Sequence, residues 1–174
     1  MDELQKYPLF HRIMHWLMAA CIIGLIILGF IMEDMPKSDF KYELYGWHKS
    51  FGVLVIILFF MRVISKIASK LPAHHPALPK RDIVLAKLGH FALYVLMFAV
   101  PLSGFIMSQA GGHPVAFFGL PIPEIFSTNK ELGGIAHELH EILPYLLAGI
   151  ISIHILAVVK HHVVEKVNLL KRMF

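Results

Sequence analysis

Cysteine is almost missing from this chain: Cys21 is the only one in 174 residues. A lone cysteine forms no intrachain disulfide, and no Cys-x-x-Cys or zinc-ligand spacing is present. Charge is also scarce. Asp, Glu, Lys and Arg make up 16% of the residues, against about 25% in soluble globular chains. The N-terminal segment lacks a cationic stretch ahead of an apolar core. It holds Asp2, Glu3 and Lys6 instead, which predicts no cleavable signal peptide. No basic stretch is interleaved with aromatics, so the net charge of +4 does not predict nucleic-acid binding. No lysine lies at mid-membrane depth, which leaves no Schiff-base site for retinal.

Apolar sequence is what the chain has in excess. Hydrophobic residues reach 57%, and mean hydropathy is +0.66. They gather in four runs, about 16–32, 44–64, 83–108 and 142–159. With modest extension, each can cross the hydrocarbon layer as a helix. The pattern predicts an all-α integral membrane four-helix bundle, one domain over 1–174, surrounded by membrane lipid. Helices are expected at about 9–32, 44–66, 83–108 and 138–163. Pro101 and Gly104 fall inside the third, where neighbouring helices can satisfy the freed backbone groups. The connection 109–134 is rich in Gly and Pro and predicts a short interfacial helix or an ordered lid.

Lys and Arg are unevenly shared between the two sides of such a bundle. Twelve lie in the N-terminal segment, the second connection with its flanks, and the tail; four (Lys37, Lys41, Lys49, Lys130) lie in the first and third connections. By the positive-inside rule both termini are cytoplasmic. The chain is thus expected to cross its membrane several times.

Twelve histidines are the compositional anomaly. His140 and His154 stand at the two ends of the fourth run, 14 residues apart. At 100° per residue they share a helix face within about 40°, and their backbones are roughly 21 Å apart along the axis. Tracing the other helices puts His15 at the depth of His154 and His48 at the depth of His140. An ionisable residue inside a membrane span is costly and usually has a functional partner. Neutral imidazole binds haem iron, and bundles build cofactor sites from facing helices. Two bis-histidine haems, one near each surface, are therefore expected: His15 with His154 on the cytoplasmic side, His48 with His140 on the outer side. No Cys-x-x-Cys-His exists to attach them covalently. Bis-histidine ligation fills both axial positions and favours outer-sphere electron transfer.

Several histidines compete or stand apart. His90 is the rival of His15, and His137 of His140. His137 lies 17 residues from His154, on a face about 100° away. His161 shares the face of His154 at the rim, where it could meet a propionate or a quinone headgroup. His162 points elsewhere. His11, His74, His75 and His113 read as surface residues.

Ile13-Met14-His15-Trp16, Trp47-His48-Lys49-Ser50-Phe51-Gly52, Leu88-Gly89-His90 with Tyr94, Pro101-Leu102-Ser103-Gly104, Phe118-Gly119 and the segment from Ile153-His154 to His162 resemble the bacterial cytochrome b561 family over nearly the whole chain. The resemblance implies a multi-pass protein of the bacterial inner (cytoplasmic) membrane with two non-covalent haems b, held by His15, His48, His140 and His154. It also implies electron exchange with ubiquinone. Family members include a superoxide oxidase, which passes electrons from superoxide to ubiquinone. Superoxide oxidation at the periplasmic face is therefore one expectation, with Lys49 and Lys130 attracting the anion. Glu33, Asp34, Asp39, Glu43, Glu124 and Glu131 on the same side oppose a uniformly positive funnel. The alternative is a membrane-anchor subunit that relays electrons between the quinone pool and a periplasmic redox protein. No catalytic side chain is assigned.

Overall fold

A computed structural model describes residues 5–73 and 77–174. Asp2, Glu3, His74, His75 and Pro76 lie outside the described residues. Helix α1 spans Leu9–Asp34 and follows Pro8. Helix α2 spans Asp39–Ala68; the Ser38 side chain accepts from the Lys41 N–H at 3.2 Å, and Asp39 sits at the positive end of the dipole. Helix α3 spans Lys80–Ala110 after Pro79. Helix α4 spans Lys130–Val163; Asn129 accepts from the Leu132 N–H at 3.0 Å, and Lys160, His161 and His162 sit at its negative end. These polar caps start α2 and α4 well before the expected residues 44 and 138. All four helices are long and apolar enough to cross a membrane.

The helices pack in chain order, α1 on α2, α2 on α3 and α3 on α4. A small core of Met14, Met18, Ile22, Val55, Leu58 and Leu147 fills the centre. Large apolar side chains such as Ile27, Ile64, Phe91 and Ile153 point outward, as expected of surfaces that meet lipid.

The connection after α3 is an ordered lid and not an interfacial helix. Strands β1 (Ala116–Phe117) and β2 (Leu120–Pro121) pair antiparallel. Between them Phe118 has φ +49° and Gly119 φ +88°, the positive values a two-residue hairpin turn needs at both positions. The lid is pinned to α2 beside His48. Ser50 Oγ accepts from the Phe118 N–H at 3.2 Å, and Lys49 Nζ donates to the Pro114 carbonyl at 3.2 Å. Lys130 begins α4 and is not part of the lid.

The opposite end is closed by the tail. Leu170–Arg172 forms a short 3-10 turn. Buried Arg172 donates to the Ala73 carbonyl at 2.6 Å and to the Gln5 carbonyl at 3.2 Å, while the Tyr7 N–H donates to the Arg172 carbonyl at 3.0 Å. Trp16 Nε1 donates to the Met173 carbonyl at 2.9 Å. The bundle thus has a termini end and a hairpin end.

Candidate haem centres

Each helix carries one residue triplet at seven-residue spacing: His15, Ile22 and Gly29 in α1; His48, Val55 and Arg62 in α2; His90, Met97 and Gly104 in α3; His140, Leu147 and His154 in α4. Seven residues fall only about 20° short of two turns, so each triplet follows one face. Because the helices alternate in direction, the triplets stack in three levels. His15, Arg62, His90 and His154 form the level at the termini end. Ile22, Val55, Met97 and Leu147 form the middle, all within the apolar core and its immediate packing. Gly29, His48, Gly104 and His140 form the level at the hairpin end.

The structure brings both expected histidine pairs together. Ring centroids are 6.5 Å apart for His15 and His154, with planes at 67°. For His48 and His140 they are 6.1 Å apart, with planes at 84°. A metal–imidazole bond is about 2 Å and the ring centre lies roughly 1 Å further, so trans imidazoles on one metal have centroids on the order of 6 Å apart. Both pairs fit that span. The four histidines do not converge on one point; among the described residues, the metal-capable group of three is Asp82, His161 and Glu165.

Hydrogen bonds at the hairpin-end level favour ligation by His140. Its Nδ1 lies 2.9 Å from the Val100 carbonyl and 3.2 Å from Ser103 Oγ. Donation of Nδ1–H to that carbonyl fixes the tautomer and leaves the Nε2 lone pair for a metal, as is usual for ligating histidines. Gly104 makes the close approach possible. A Cβ there would stand 2.7 Å from His140 Cε1, whereas one at Gly29 would meet His48 Cε1 at an ordinary 3.7 Å. His48 Nδ1 is buried with no hydrogen-bond partner.

The termini-end level is more crowded and more polar. An Arg62 guanidinium nitrogen lies 3.3 Å from His15 Nδ1, and another donates to the His11 carbonyl at 3.4 Å. The His90 ring is 5.4 Å from that of His154, so both His15 and His90 stand beside His154. His137 is exposed and lies against Met107 Sδ at 3.3 Å. His113 is exposed, as expected, and His162 is exposed too. His11 is not a surface residue: it is buried, because Tyr7 of the N-terminal segment stacks on its ring.

His161 is also buried, and its Nδ1 bonds Glu165 at 2.6 Å. Lys160 bridges Glu165 at 2.8 Å and Asp82 at 3.4 Å, tying α4 to α3. The Lys160 ammonium, and then His161, hold the Glu165 carboxyl below its ordinary value of 4.5. Glu165 titrates lower in the folded chain than in the unfolded one, so its contribution to stability is present above about pH 4.5. That contribution is lost as pH falls through the lower folded value. Acid unfolding of the detergent-solubilised protein should show this loss, and Glu165→Gln should remove it. An unchanged acid profile in Glu165→Gln would show that the carboxylate adds nothing.

Gly104, Ser103, the Val100 carbonyl and Arg62 were not legible as site residues from composition or motif type. Gly104 reads from sequence as a tolerated helix break, and Arg62 as one of the twelve cations of the cytoplasmic side. The seven-residue recurrence from each histidine was the signal that places Arg62 and both glycines.

The family model described as prokaryotic cytochrome b561 matches residues 6–174. The chain is 30% identical over 177 residues to "Cytochrome b561 homolog 2" of Escherichia coli (strain K12), covering 97% of this chain and 91% of that one. It is 27% identical to "Probable superoxide oxidase CybB" of Yersinia pestis, covering 97% and 96%. It is also 27% identical to "Cytochrome b561 homolog 1" of Escherichia coli (strain K12), covering 92% of each.

Proposed function

Since the chain belongs to the prokaryotic cytochrome b561 family, a family of b-type cytochromes of the bacterial inner membrane, we propose that it carries two haems b and moves electrons between the periplasmic face and ubiquinone. One observation supports this above the others. Two histidine pairs, each spanning 6.1–6.5 Å between ring centres, stand at opposite ends of one bundle with an apolar level between them. His48 and His140 would hold one haem, and His15 and His154 the other. A haem held by two histidines would supply reversible one-electron chemistry. The protein's own part is to fix the rings, exclude water with the apolar level, and keep each site at its depth. Both termini are cytoplasmic in this reading, which puts the hairpin end in the periplasm.

The most specific donor is superoxide, the substrate in the printed name of one relative. Two superoxide anions would yield two dioxygen molecules and two electrons. Ubiquinone would take those electrons with two protons. The anion crosses hydrocarbon poorly, so it must be oxidised at the hairpin end. Lys49 is the nearest cation in sequence to His48, but its ammonium is held by the Pro114 carbonyl. Its steering is therefore modest and removable by salt. Pulse-generated superoxide with haem absorbance followed in the purified protein tests this. Reduction that outruns spontaneous dismutation, and that slows in Lys49→Glu with the spectrum intact, is the expected result. Reduction no faster than dismutation would discard the oxidase reading and leave a relay between quinol and a periplasmic redox protein.

A further inference from the structure

The two ligand levels differ in one respect that bears on electron direction. At the termini end, the positions on α2 and α3 opposite the histidine pair are Arg62 and His90. At the hairpin end the equivalent positions, on α1 and α3, are Gly29 and Gly104. A half-buried guanidinium therefore stands at one level and none at the other. The Nδ1 atoms see the same contrast. His140 Nδ1 faces the Val100 carbonyl at 2.9 Å, a dipole with its negative end toward the ring. His15 Nδ1 faces an Arg62 nitrogen at 3.3 Å. A guanidinium only donates, so it cannot accept from a ligating ring's N–H and acts on that ring through its charge.

We infer that Arg62 makes the termini-end haem the electron acceptor of the pair, with the hairpin-end haem as donor. This rests on the dihaem reading above. The reasoning is electrostatic. A bis-imidazole haem gains positive charge at iron when oxidised. A fixed cation beside one axial ring disfavours that form and raises the potential. A carbonyl accepting from the other site's Nδ1–H makes that ring a stronger donor and stabilises the oxidised iron, which lowers the potential. Both effects push the same way. Other charges near the termini end leave the contrast in place, because Asp82 and Glu165 are paired with Arg81, Lys160 and His161. At the hairpin end Lys49 is the cation beside a ligand, and its ammonium is drawn to the lid.

The test is a redox titration of the purified holoprotein, following haem absorbance. His140→Ala should retain only the termini-end haem and so assigns the two waves. The wave it retains should be the higher one in the unmodified protein. Arg62→Gln should lower that wave selectively, with the oxidised-to-reduced ratio at fixed potential rising on the order of tenfold, about 59 mV for one electron. Arg62→Lys should restore most of the shift, since the charge returns while the fork geometry does not. If His140→Ala retains the lower wave, the inference is overturned, and this arm needs no Arg62 variant to fold. Equal displacement of both waves in Arg62→Gln, or of neither, also overturns it. A haem count of one in the unmodified protein would instead sink the dihaem reading itself.

Discussion

Haem content should fall from two per chain to one in His140→Ala, and the haem that remains should be the one at the termini end. His48→Ala should give the same product. The expectation follows from how the levels are built. His48 and His140 face each other at 6.1 Å between centroids, and no other histidine among the described residues belongs to their level. His137 is the nearest substitute in sequence, but it is exposed, and Met107 Sδ stands 3.3 Å from its Nδ1. On the dihaem reading, loss of either ring would leave the haem there with only one of its two histidines. The apolar level of Ile22, Val55, Met97 and Leu147 lies between this site and the other one, so the His15–His154 pair should keep its spectrum. Reaction with pyridine and base, which converts bound haem to a countable product, measures the stoichiometry. Loss of both haems in His140→Ala would mean that the two levels fold as one unit. Retention of both would mean that His140 is no ligand. The matching pair at the other end carries the rivalry with His90. If His90→Ala empties that site while His15→Ala leaves it filled, the partner of His154 is His90.

Gly104→Ala should weaken haem binding at the hairpin end by about 10–100-fold, the range typical of a disturbed ligand-supporting group. The added Cβ would fall 2.7 Å from His140 Cε1, closer than real Cβ contacts come. The ring has little freedom to yield. Its Nδ1 is held by the carbonyl of Val100, one turn before Gly104 in α3, at 2.9 Å, and Ser103 Oγ closes the other side at 3.2 Å. The substitution would ordinarily favour a helix, since alanine is better than glycine there by about 1 kcal/mol. Helix content by circular dichroism should therefore hold or rise while the hairpin-end haem is lost, which separates a local clash from global unfolding. Gly29→Ala is the internal control. Its Cβ would make only a 3.7 Å contact with His48, so full haem content is expected. Equal retention of haem in both variants would show that α3 moves freely and that the close approach has no consequence.

The sequence by itself determined the fold class and the depth of the histidines. Four apolar runs separated by polar, proline-rich connections leave little choice but four membrane helices, because backbone groups in hydrocarbon must bond within their own segment. The spacing of His140 and His154 depends only on helix geometry. It needed no knowledge of neighbouring chain. Tertiary structure decided what surrounds each ring. That α3 passes close enough to His140 for a carbonyl and a glycine to cradle it depends on the packing of α3 on α4, and nothing in the local sequence of α4 encodes it. Arg62 is 47 residues from His15, and its guanidinium reaches His15 only because α2 folds back antiparallel to α1. The burial of His11 has the same origin: Tyr7 stacks on its ring, and Arg172, returning with the tail, lies over Tyr7. The lid followed the same rule. Its Gly and Pro content announced a break, but the hairpin required positive φ at Phe118, and that residue is held there by Ser50 of another helix.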